Sequence, residues 1–134
     1  MKCLLLCSVL SILALGAAAE HTVDSLEQVR GNLEQKKAVL IDVREPGEWK
    51  QGHLQEATLV PLSEIRRLDK DANLRAKYAT SLPKDRIIYC HCGSGVRVIS
   101  AAHFLKKLGY DIRPLAAGYS ELLDAGFRQA AKTQ

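Results

Sequence analysis

Two cysteines lie one residue apart in Ile88-Tyr89-Cys90-His91-Cys92, and the second opens the run Cys92-Gly93-Ser94-Gly95-Val96-Arg97. A cysteine thiolate is a nucleophile, and its reactivity follows its pKa. The two glycines and the serine let a loop curl so that successive backbone N–H groups converge on the Cys92 sulfur. A helix beginning at Arg97 adds the partial positive charge of its N-terminus. Both features stabilise a thiolate or a bound anion, and such surroundings lower a free thiol from about 8.5 by one unit or more. Cys90 sits instead inside the apolar run Ile87-Ile88-Tyr89-Cys90, where a buried thiol packs and is usually inert. Geometry therefore favours Cys92 as the nucleophile. Taken alone, the spacing also fits a glycine-rich turn with an incidental cysteine, so the rest of the chain must decide.

That loop needs a strand before it and a helix behind it. The spacing predicts a strand over 86–89 and a helix over 97–108, in which Val98, Ala101, Ala102, Leu105 and Leu108 share a stripe ahead of Gly109. Further short strands are expected at 39–41, 58–60 and 112–115. Helices are expected after an Asp24 or Ser25 cap, around Glu48-Trp49, over 63–69 with Ser63 as cap, over 73–79, and over 120–125. Continuous apolar strands separated by helices imply an α/β fold with a mainly parallel sheet covered on both faces. In such folds, sites lie at the carboxyl ends of strands.

The chain has 134 residues, 47% hydrophobic and 25% charged, which suits one globular domain. The first nineteen residues do not fit that domain. Lys2, an apolar stretch over 4–15 and then Ala17-Ala18-Ala19 read as a cleavable signal peptide at residues 1–19, cut after Ala19. The stretch is shorter than the roughly 20 apolar residues of a bilayer span, and Leu6 before Cys7 argues against a lipoprotein. The expected product is an exported domain over 20–134, periplasmic or secreted, with no stable membrane insertion. Removing Lys2 from the 19 basic residues leaves 18 against 15 acidic ones. The charges are scattered, with no basic stripe and interleaved aromatics, so nucleic acid is not an expected partner. Cys3 and Cys7 leave with the signal, and two remaining cysteines make no disulfide scaffold. A bridge between neighbours at i and i+2 would be strained and would constrain little.

Three segments, in order, resemble the rhodanese (sulfurtransferase) family. Leu40 to Pro61, LIDVREPGEWKQGHLQEATLVP, looks like the family's first signature. CGSGVR looks like its active-site loop, and LAAGYSELLDAGF, from Leu115, is similar to its closing signature. The likeness is to short, exported, single-domain members with a rhodanese-like fold. Family loops that handle sulfur have six residues from cysteine to arginine, whereas related phosphatase and arsenate-reductase loops have one more. Cys92 to Arg97 is six, and counting from Cys90 gives eight, which fits neither. The chain departs from the pattern at Ala117, where a glycine is usual, at Leu122, where tryptophan is common, and at Val98, where a small residue is frequent and a larger one would narrow the loop's mouth.

The resemblance implies a thiosulfate sulfurtransferase of rhodanese type, carrying a sulfane sulfur as a persulfide on Cys92. Its partners would be a small sulfur donor and a thiophilic acceptor, cyanide or a thiol, or an acceptor protein, with no cofactor and no metal. The amides of Gly93, Ser94, Gly95, Val96 and Arg97 would hold the persulfide. Arg97 would pin the loop or meet the donor, or equally form an ion pair with Asp42. Asp42 would organise the site by hydrogen bonds. Arg44 would attract an anionic donor or lie exposed on the surface. His53 would make a structural hydrogen bond, and Trp49 would be core. His91 lies between two thiols, yet these three residues on one strand cannot all face one metal. Two rival readings stand beside this one. In the first, Cys90 and Cys92 form a thiol–disulfide or redox-sensing pair, Cys90 being a possible resolving thiol. In the second, the domain is a non-catalytic binding module, disfavoured because the loop keeps both its cysteine and its arginine.

Overall fold

The computed structural model describes residues 18–132. The signal read at residues 1–19 lies outside this range except for Ala18 and Ala19. Among the described residues no helix is long and apolar enough to cross a membrane. The elements run α1 (Leu26–Glu34), β1 (Ala38–Asp42), α2 (Pro46–Gln51), β2 (Ala57–Leu59), α3 (Leu62–Ile65), α4 (Ala72–Lys77), β3 (Ile87–His91), α5 (Arg97–Lys107), β4 (Ile112–Pro114) and α6 (Tyr119–Asp124). The strands form one sheet in the order β2-β1-β3-β4, and every pairing is parallel. This is the expected α/β fold, with helices on both faces.

Strand periodicity sorts the side chains into two layers. Ile41, Ile88 and Cys90 face one way and pack with Val98, Ala101, Ala102 and Leu105 of α5 and with Leu62 and Ile65 of α3. Ala38, Leu40 and Tyr89 face the other way and pack with Val29 of α1, Leu122 of α6, and Leu54 and Phe127. Each fully buried aliphatic chain contributes about 1.5–3 kcal/mol relative to exposure. Ser25 caps α1 in a reciprocal box with Gln28, which selects between the two caps offered by the sequence.

The sheet order reverses between β1 and β3, since β2 lies to one side of β1 and β3 with β4 to the other. A crevice opens at the carboxyl ends of strands at such a switch point. Register places Asp42 opposite His91 there, and the next residue is Cys92. β3 runs two residues beyond the expected Tyr89, which carries Cys90 into the sheet.

The least accurate expectation is α3. Pro61 precedes it with φ −61°, and the helix stops at Ile65, giving way to turns over 66–70. Ser63 does not cap it. It lies within the helix and donates both its N–H and its hydroxyl to the Glu45 carboxylate, at 3.2 and 2.8 Å. The following helix is capped by Asp71, which accepts from Asn73 and Leu74.

Candidate active site

Cys92 follows the last residue of β3, and Arg97 is the first residue of α5. The four residues between them form the loop. Cys92 is fully buried and points to the same face of the sheet as Cys90, as i,i+2 spacing on a strand requires. Its carbonyl accepts the N–H of Tyr119 at 3.0 Å, with His91 Nδ1 at 3.3 Å. A trans peptide is planar, so its C=O and the following N–H point in opposite directions. Fixing the Cys92 carbonyl outward therefore fixes the Gly93 N–H inward. Among the described residues, the N–H groups of Gly93, Ser94, Gly95 and Val96 donate no hydrogen bond within the chain. Gly93, Ser94 and Val96 are exposed, and Gly95 is buried.

The loop keeps its curl against the segment that follows β4. Gly95 has φ +80°, and the backbone carbonyl of Ala116 occupies the place of a side chain. At Gly118 a Cβ would run into the carbonyl of Gly93. Ala117 is half-buried, so of the paired glycines usual in the family only the second lacks room. Gly118→Ala is expected to force a backbone shift and to lower stability by about 1–3 kcal/mol. Ala117→Gly should change it by no more than about 1 kcal/mol. Urea denaturation midpoints of the two variants check this.

Arg97 is clamped by Glu48, with Nη1–Oε1 at 2.5 Å and Nη2–Oε2 at 2.9 Å. The expected ion pair with Asp42 does not form, because α2 brings Glu48 closer and Asp42 is engaged elsewhere. The Arg97 guanidinium holds the Glu48 carboxyl down at about 2. Glu48 in turn, with a smaller contribution from Cys92, raises the pKa of Arg97. The arginine thus stays charged beside the sulfur. Glu48 is the functional residue that sequence reasoning missed. Its signal was its place in the first signature, where it reads only as part of a turn of helix.

On the other face of the strand ends lies a buried polar cluster. Asp42, fully buried, accepts from Arg44 through its backbone N–H at 2.9 Å, Nε at 3.0 Å and Nη2 at 2.8 Å. Arg44 also donates to the carbonyl of Gly52 at 2.8 Å and lies 4.4 Å over the Tyr119 ring. It is 5% exposed, so the surface position expected for Arg44 is corrected. A carboxylate two residues away compensates its desolvation. His91 is buried with Nε2 3.5 Å from Asp42 Oδ2, and burial pushes its pKa down. His53 makes the expected structural bond, Nδ1 to the carbonyl of Trp49 at 3.0 Å. It stacks on the Trp49 ring at 3.6 Å. Trp49 is half-buried in this clasp, not a core residue.

Burial pushes the Cys90 thiol pKa up, and its Sγ lies 3.9 Å from the carbonyl of Val98. The two cysteines are free thiols. Val98 is fully buried behind the loop and does not narrow its mouth. The exposed apolar group there is Val96, 70% exposed. No cluster of metal ligands occurs among the described residues.

A parallel sheet whose switch point holds a cysteine, followed by unpaired loop amides and the start of a helix, makes a candidate thiol site. The chain belongs to the family of the Rhodanese-like domain, whose model matches residues 25–125. It is similar to "Putative thiosulfate sulfurtransferase, mitochondrial" of Schizosaccharomyces pombe, 39% identical over 79 residues that cover 56% of this chain and 55% of that protein. It is similar also to "Sulfurtransferase" of Allochromatium vinosum, 30% identical over 67% of this chain and 75% of that one. Among solved structures, a human single-domain sulfurtransferase is 30% identical with a TM-score of 0.65, over 81% of this chain and 97% of that one. The chain spans 55% and 61% of the first two curated relatives it matches.

Proposed function

We propose that this protein is a rhodanese-type sulfurtransferase in which Cys92 carries the sulfur. What supports this reading is the set of unpartnered loop amides between Cys92 and Arg97, the latter held by Glu48. The Cys92 thiolate attacks the outer sulfur of a donor such as thiosulfate. The donor's S–S bond breaks, its electron pair leaves with sulfite, and Cys92 becomes a persulfide anion. The amides of Gly93 to Arg97 hold that charge as preorganised donors. A thiophilic acceptor, cyanide or a thiol, then attacks the terminal sulfur and regenerates the thiolate. Because Cys92 is buried, the donor reaches it by parting the rim formed by Gly93, Ser94 and Arg97. Asp42 and Arg44 support this site from behind the sheet, and His53 holds the end of α2.

The resolving-thiol role of Cys90 has less support. A fully buried thiol with a raised pKa yields little thiolate for exchange. The reading also includes export of a single domain over 20–134 after cleavage behind Ala19, and leaves an acceptor protein as one class of partner. Intact-mass analysis after thiosulfate alone tests the core of it. A gain of one sulfur, located on Cys92 by peptide mapping, is expected. Dithiol–disulfide cycling between Cys90 and Cys92 with no persulfide would replace this reading with the redox one.

A further inference from the structure

His21 lies outside the family match, four residues before its start. Even so, it touches the loop: His21 Nε2 is 2.6 Å from the carbonyl oxygen of Gly95, across 74 residues of sequence. A carbonyl accepts only, so the ring nitrogen there carries a proton and donates. In the chain that begins at Glu20, the segment around it is anchored on its C-terminal side. Thr22 donates its N–H to the carbonyl of Pro114, at the end of β4, at 2.8 Å. His21 and Thr22 thus lay the start of that chain over the carboxyl edge of the sheet.

The Gly95 carbonyl belongs to the same planar peptide as the Val96 N–H, and the two point in opposite directions. A grip on the carbonyl therefore sets the direction of that N–H, which has no partner of its own within the chain. Gly95, at φ +80°, has no side chain to pin this peptide, so a hold on its carbonyl bears directly on the Val96 N–H. The Cys92 carbonyl at the far side of the loop is held in the same way by the Tyr119 N–H.

We infer that His21 is a positioning residue for the sulfur-transfer step, which aims the Val96 N–H into the cradle by donating to the carbonyl of Gly95. The inference rests on the sulfurtransferase reading. It also gives a use to a segment that the family match leaves out, and it makes the start of the exported chain part of the site.

The test uses the chain over 20–134 with His21→Ala and His21→Gln, the second keeping a side-chain N–H donor of similar reach. Single-turnover persulfide formation from thiosulfate and the urea midpoint are measured for each. Loss of one oxyanion donor slows a reaction about 10²–10³-fold. A donor left in place but no longer aimed should slow it about tenfold or more. His21→Ala is expected to show that loss in rate per folded molecule, and His21→Gln to recover most of it. An unchanged rate in His21→Ala overturns the inference. So does a rate loss that follows the loss of folded protein and is not rescued by His21→Gln. If the parent protein forms no persulfide, the sulfurtransferase reading fails separately. The Val96 amide resonance of Cys92→Ser protein, titrated with thiosulfate, then decides. A saturating shift that weakens about tenfold with His21→Ala supports the positioning role, and equal affinity or no shift in the parent overturns it.

Discussion

Cys92→Ser is expected to abolish thiocyanate production from thiosulfate and cyanide, with a fall of at least about 10³-fold, the scale on which removal of a nucleophile acts. The substitution removes the atom that carries the cargo, and a serine hydroxyl cannot substitute as a persulfide carrier. Cys90→Ser is expected to keep the rate per folded molecule within about twofold. The contrast follows from placement, since both thiols are free and both point to the same face. Cys92 opens the loop of unpaired amides that ends at Arg97, whereas Cys90 meets core side chains and, at 3.9 Å, the carbonyl of Val98. A serine at position 90 buries a hydroxyl with one distant acceptor, so Cys90→Ser should lose about 1–3 kcal/mol of stability. Thermal denaturation beside the assay separates that loss from chemistry. A well-folded Cys90→Ser protein that makes no persulfide would reverse the assignment of the two cysteines. Exposure of the same variant to peroxide adds a second reading. If Cys90 resolves an oxidised Cys92, its removal should hasten irreversible oxidation of Cys92.

The parts of this site that can be read along the chain are those made by neighbours in sequence. The apolar run before Cys90, the glycines after Cys92 and the stripe on α5 each carry their own period, so strand, loop and helix appear in the right order. The same run places Cys90 within β3 and Cys92 at its exit. What cannot be read is pairing at a distance. Arg97 meets Glu48 because β1 and β3 are neighbours and α2 rises from the end of β1, a fact of topology and not of spacing. Asp42 is then free for Arg44, two residues on, and burial of that pair depends on the Tyr119 ring arriving from α6. A short i,i+2 ion pair looks like ordinary surface chemistry until the covering element is known. His21 is an extreme case, since its partner lies 74 residues away and is a backbone carbonyl, which leaves no mark on sequence at all. Short elements fail for a different reason. α3 has four residues, too few for a helical period to show, and Pro61 sets its start more strongly than Ser63 could.

The largest expected effect on stability is at Asp42. Asp42→Ala leaves the Arg44 guanidinium 5% exposed with the Gly52 carbonyl, the Tyr119 ring and the more distant Glu48 carboxylate, itself paired with Arg97, to compensate its charge. Breaking a buried pair from one side costs about 3–5 kcal/mol, a large share of the roughly 5–15 kcal/mol that holds a domain folded. Equilibrium urea denaturation should show it, and much of the protein is expected to be unfolded at 37 °C. Removing both charges should cost far less, because neither ion is then left alone. In the double variant Asp42→Asn with Arg44→Met, the amide oxygen can still accept the backbone N–H of residue 44, as Asp42 Oδ1 does at 2.9 Å. Most of the lost stability should return, giving a coupling of several kcal/mol in the double-mutant cycle. The same protein distinguishes two roles for the carboxylate. If Asp42 only organises the strand ends beneath His91 and Cys92, the refolded double variant should transfer sulfur at near the parent rate. If Asp42 acts as a base, the variant will be folded and slow at every pH, and the organising role fails. The geometry favours the first outcome, because both carboxylate oxygens are bonded to Arg44 and the Asp42 side chain has no exposed surface through which a substrate proton could reach it.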